Sequence, residues 1–101
     1  MAGPYSFRGE LWLYPGQAGW HFITLPRDLA EEVRDDAEPI RKAFGSVKVH
    51  AAIAGQRWST SLFPDGSSNS YLLPVKKAIR TAAGIRAGDE VDVELELKPA
   101  G

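Results

Sequence analysis

The clearest pattern in the chain lies near its end, where Val91, Val93, Leu95 and Leu97 alternate without a break with Asp92, Glu94, Glu96 and Lys98. A period of two puts the apolar side chains on one face of a strand and the charges on the other. Looser alternation predicts a strand over Tyr5–Tyr14, with Phe7, Leu11 and Leu13 on one face and Ser6, Arg8 and Glu10 on the other. Ser46–Ile53 and Gln56–Phe63 alternate as well, and Trp20–Leu25 and Tyr71–Leu73 are shorter apolar runs that read as strands. The period changes to that of a helix at Leu29, Ala30, Val33 and Ala37, opposite Asp28, Glu31, Glu32, Asp35 and Asp36. It changes again at Val75, Ala78, Ile79 and Ala82. Pro39 ends the first helix or starts a short turn over Ile40–Phe44 that Gly45 stops, and Gly84 suits a left-handed cap on the second. Turns are expected at Pro15–Gly19 and Ala54-Gly55, and a mobile polar loop over Pro64–Ser70.

One motif occurs twice. Phe22-Ile23-Thr24-Leu25-Pro26-Arg27-Asp28-Leu29 and Tyr71-Leu72-Leu73-Pro74-Val75-Lys76-Lys77-Ala78 each run from an apolar strand through Leu-Pro into a polar helical stretch. Proline suits a helix's first turn, where its missing N–H costs nothing and its φ is already helical. Pro26 and Pro74 are therefore expected to open the two helices. The order ββα-ββ-βα-β predicts a mainly β fold: a small barrel of two pseudo-symmetric β-α-β halves with two short helices.

The chain has 101 residues, 44% hydrophobic and 25% charged, enough for one domain over residues 5–98, between a short disordered lead at 1–4 and a tail at 99–101. It contains no cysteine, so disulfides, thiolate metal sites and thiol catalysis are excluded. No apolar run approaches the ~18 residues of a membrane span, and the N-terminus lacks the basic-then-apolar pattern of a secretory leader. A cytoplasmic monomer is the expectation. The net charge of −1 conceals an asymmetry. Arg41 to Arg86 holds eight basic residues and one acidic, Asp65, a balance of +7, and the rest of the chain balances to −8. Such a split gives a basic face that invites an anionic partner, or charges that cancel in the fold.

The stretch Leu73-Pro74, the helix after it and Gly84-Ile85-Arg86-Ala87-Gly88-Asp89-Glu90-Val91 is similar to the half-barrel of AbrB-type regulators and MazE-type antitoxins. Over nearly its whole length the chain more closely resembles a bacterial family catalogued as domain of unknown function 1905. That resemblance rests on Trp20-His21-Phe22-Ile23-Thr24-Leu25-Pro26, Val47-Lys48-Val49, Gly55-Gln56-Arg57-Trp58-Ser59-Thr60-Ser61-Leu62 and Tyr71-Leu72-Leu73-Pro74-Val75-Lys76-Lys77-Ala78-Ile79-Arg80. It implies a double-split β-barrel, as if an AbrB-type dimer were fused into one chain, and it implies no activity. The first repeat departs from the pattern, carrying Phe44-Gly45-Ser46-Val47 in place of the Gly-Asp-x-Val turn.

The candidate chemistry is basic and aromatic. A tight turn at Ala54-Gly55 sets His50 opposite Ser59 and Lys48 opposite Ser61, all on the outer face with Arg57. Lys76 and Arg80 are neighbours on the second helix. With Trp58 and Tyr71 these residues are the expected ligand-binding set: cations pair with anionic groups and flat rings stack on tryptophan. Trp20 and Lys77 lie close to the same set. A core role for Trp58 and a solvated face for the cations are the competing readings. His21 and His50 lack partners at metal-ligand spacing, so no metal or cofactor is expected. His50 with Ser59 has the residue types of a base and a nucleophile but no third group to orient the imidazole. The expected function is a non-enzymatic binding module for a small molecule or peptide. A DNA-binding regulator of AbrB-like type is the alternative, and a hydrolase using His50 and Ser59 ranks below both.

Overall fold

A computed structural model describes residues 4–16, 18–38 and 45–98. Six strands and two helices follow in the order β1 (Tyr5–Leu13), β2 (His21–Thr24), α1 (Arg27–Ala37), β3 (Val47–Ile53), β4 (Gln56–Asp65), β5 (Ser70–Pro74), α2 (Lys77–Ala83) and β6 (Glu90–Leu97). The strands close a barrel in the order β1-β2-β5-β4-β3-β6, with every pairing antiparallel. The mainly β fold expected from the patterning is the fold observed. The turn expected over 40–44 lies outside the described residues.

The core follows the predicted period. Val47, Val49, Ala51 and Ile53 of β3 and Val91, Val93, Leu95 and Leu97 of β6 are buried, as are Leu11, Ile23, Leu62, Leu73, and Ala30, Val33 and Ala37 of α1. Leu13, assigned to the inner face of β1, is instead 52% exposed, because the strand ends there. Gly9 faces Ile23, and a methyl group at that position would stand 2.7 Å from Ile23 Cγ2. The Tyr5 hydroxyl donates to the Asp36 carboxylate and so fastens α1 to β1. No helix among the described residues is long and apolar enough to cross a membrane.

Exchanging β1 with β4, β2 with β5 and β3 with β6 leaves the set of neighbouring strands unchanged. Where β2 meets β5, the Leu25 N–H donates to the Tyr71 carbonyl and the Val75 N–H to the His21 carbonyl, each at 3.0 Å. These are the same bond made once by each half, and they relate Leu25 to Val75 and His21 to Tyr71, a shift of 50 positions. That shift matches Pro26 to Lys76, not to Pro74. Pro26 caps α1 from an extended backbone, and Lys76 caps α2 in the same way. The expectation that proline opens both helices is therefore corrected: Pro74 is the last residue of β5. Val75 must stay extended to bond His21, which delays the second helix to Lys77.

Two prolines decide where β4 changes partner. Ala54 and Gly55 have φ of +50° and +80°, the left-handed pair of a type I′ turn. In such a hairpin the flanking Ile53 and Gln56 exchange hydrogen bonds, and so do Ala51 with Trp58, Val49 with Thr60 and Val47 with Leu62. The carbonyl of Lys48 duly accepts from Lys98 on the other side of β3. By the same alternation the backbone groups of Arg57, Ser59, Ser61 and Phe63 point away from β3. Phe63–Asp65 pairs with β5 in the register Phe63↔Leu72. The next step would set Ser61 against Pro74, which has no N–H to give. On the β3 side Pro64 is equally unable to extend the ladder beyond Leu62. Among the described residues Gln56–Leu62 is thus paired with β3 alone.

The segment read as a mobile loop is more ordered than its composition implies. Strand β4 continues through Pro64 to Asp65, and a tight turn follows at 66–69. The Asp65 carboxylate closes it, accepting from the Ser67 and Ser68 hydroxyls and the Ser68 N–H.

Candidate functional site

A groove of about 650 Å³ opens between the singly paired stretch of β4, the junction of β5 with α2, and the end of the β1–β2 loop. Its β4 wall is the consecutive run Trp58, Ser59, Thr60 and Ser61, continued by Phe63. A run of consecutive residues, rather than alternate ones, marks a strand that shows its edge. The opposite wall is Pro74, Val75, Lys76, Lys77 and Arg80, and one end is closed by Gly19, Trp20 and His21.

The charge in the groove has one sign. Lys76, Lys77 and Arg80 line it, and among the described residues no aspartate or glutamate does. None of the three forms an ion pair among the described residues. Arg80 is held from behind: its Nη1 lies 2.9 Å from His21 Nδ1 and 3.3 Å from the Val75 carbonyl. His21 Nδ1 is also 2.8 Å from the Gly19 carbonyl. The carbonyl needs a donor there and the guanidinium an acceptor, so one tautomer satisfies only one of the two contacts. The outer guanidinium edge carries no bond among the described residues and remains available to an anion.

Aromatic surface adjoins the cations. Trp20, 53% exposed, stacks on Phe22 at 5.9 Å with the planes 10° apart, and Phe22 also meets Trp12 and Tyr14. Trp58 is buried at 8% exposure, and Phe63 is exposed.

Of the residues nominated from sequence, Trp58, Ser59, Ser61, Lys76 and Arg80 line this groove. His50 and Arg57 line a neighbouring depression with Trp58, Ser59 and Glu96. There His50 and Arg57 adjoin carboxylates: in the register of β3 and β6 His50 stands opposite Glu96 and Ala52 opposite Glu94. Lys48, exposed and opposite Ser61, lines neither. Tyr71 is 2% exposed in the core, so Trp20 and Phe63 supply the ring surface that it was expected to provide. Phe63, Pro74 and the His21 that backs Arg80 line the groove and are not in the set expected from sequence. The sequence predicts Pro74 as a helix opener, whereas it ends β5 beside an unpaired strand edge that follows from the barrel order.

His50 does face Ser59, with Nδ1 3.1 Å from the hydroxyl. The pair is exposed, and no third group among the described residues bonds the imidazole. The described residues hold no group of three metal-ligating side chains.

A comparison with protein families places residues 7–95 within the profile described as Domain of unknown function (DUF1905). None of the curated proteins matches the chain.

Proposed function

This chain belongs to the DUF1905 family, and from that premise we propose that it is a non-enzymatic binding module whose β4–α2 groove takes an anionic ligand with flat or extended apolar parts. It acts as a cytoplasmic monomer. One observation carries the reading: three cations without an ion pair among the described residues line a groove to which those residues bring no carboxylate, flanked by Trp20, Trp58 and Phe63. A carboxylate, phosphate or sulfonate entering there meets two lysines and the outer edge of Arg80, none of them tied to a carboxylate among the described residues. The volume lies within the ~300–1,000 Å³ range of ligand pockets.

The exchange symmetry of the strand order supports an AbrB-like or MazE-like relationship, with two half-barrels joined in one chain. A DNA-binding role would draw on the same cations. It is the second reading, because Glu94 and Glu96 stand beside His50 and Arg57 and offset part of the basic face.

The aromatic sulfonate anilinonaphthalene sulfonate tests the groove. Its fluorescence should rise on addition to the folded chain, and the double variant Lys76→Glu/Lys77→Glu should weaken that binding at least tenfold. Equal binding by the variant would refute the groove. A duplex oligonucleotide tests the other reading: affinity should then fall steeply with salt, with the slope reduced by roughly one unit for each contacting lysine or arginine removed.

A further inference from the structure

We propose, resting on the groove reading, that its occupant is an extended peptide bearing a carboxylate, which adds to β4 as a strand. The backbone carries the inference. Arg57, Ser59 and Ser61 turn their N–H and C=O groups away from β3, and among the described residues no strand receives them on that side. The ladder of β4 with β5 ends at Phe63↔Leu72, so among the described residues no register partner faces those groups. Unpaired strand edges are templates for another chain, and proteins that do not use them cover them with charge, proline or a helix. Here α2 lies over β4, yet the groove separates it from the edge at Ser59 and Ser61.

The edge from Arg57 to Ser61 spans about 13 Å at roughly 3.3 Å per residue, the length of a four- or five-residue segment. Main-chain bonds along it would hold a peptide of almost any sequence, so selectivity comes from the walls. Lys76, Lys77 and Arg80 select a carboxylate, either an acidic side chain or a free C-terminus. Trp20 and Phe63 offer apolar surface for the side chains between. A small flat anion would use the same cations and rings and leave the strand edge unfilled. That difference separates this inference from the broader one.

The test uses the full chain and a synthetic pentapeptide that alternates threonine and valine and ends in a free aspartate. Binding should slow amide hydrogen exchange at Arg57, Ser59 and Ser61 by tenfold or more and leave Trp58 and Thr60, already bonded to β3, unchanged. Methylating the peptide nitrogens that face β4 should weaken binding at least tenfold, while methylating the alternate nitrogens changes it less than threefold. Binding that is indifferent to both methylation patterns, or that leaves the three amides unprotected, overturns the strand. If anilinonaphthalene sulfonate binds and the peptide does not, the groove stands and the peptide is refuted; if neither binds, both fall. Protection of the same amides that appears without peptide and grows with protein concentration would give the edge to a second copy of this chain and refute the foreign peptide.

Discussion

Single residues carry opposite kinds of strain in this barrel. Ala54 sits at φ +50°, where its Cβ crowds the following carbonyl; asparagine tolerates that region and is the favoured first residue of a type I′ turn. Ala54→Asn should therefore stabilise the chain by about 0.5–1 kcal/mol, read as a rise in Tm of several degrees. Gly9 has no such freedom to offer. The missing Cβ is filled by Ile23 Cγ2 at 2.7 Å, and Ile23 is fully buried and stiff at χ1. Gly9→Ala should cost about 1–3 kcal/mol as an overpacked core, seen as a lower midpoint in urea. The Ala54-Gly55 turn was readable from local composition. The close contact at Gly9 was not, because Ile23 is brought to it by the pairing of β1 with β2.

At the scale of the element, the turn between β4 and β5 shows how a polar stretch can be ordered by one carboxylate. Hydrogen bonds from Ser68, and more weakly Ser67, hold the Asp65 carboxyl below its ordinary value of 3.8. A group whose pKa is depressed on folding contributes stability above the ordinary value and loses it as pH falls through the folded one. Asp65→Ala should accordingly lower Tm near neutral pH and make progressively less difference as a thermal melt is repeated at pH below about 4. The periodic elements α1, β3, β4 and β6 were legible because alternation and the helical repeat are written locally. Both helices start later than the pattern predicts, α1 by one position and α2 by three, and α2 is delayed because Val75 answers to a hydrogen bond with His21 that no local pattern contains.

For the whole molecule, the bond from Tyr5 to Asp36 links the first strand to the first helix across 31 positions. Burial, then the hydrogen bond to Asp36 and the charges of Asp36 and Glu32, raise the Tyr5 phenol above its ordinary value of 10.0. A raised folded value means that this contribution is complete below pH 10 and is lost as the solution becomes more alkaline than that. Tyr5→Phe should cost about 1.5–3 kcal/mol at neutral pH, and the gap between variant and parent should narrow above pH 10 in urea titrations. The sequence by itself determined the strands, the helices, the core faces and the doubling of the chain, because each is a matter of period, and period is local. Only the tertiary structure decided the site. It placed Pro64 within β4 and Pro74 on the strand beside it, left Arg57, Ser59 and Ser61 without a neighbouring strand among the described residues, and turned Lys48, His50 and Arg57 toward β6 or solvent while Lys76, Lys77 and Arg80 met the free edge. Closure of a barrel is a long-range condition: which strand lies beside which follows from the pairing of residues far apart in the chain, and no window of neighbouring residues contains it.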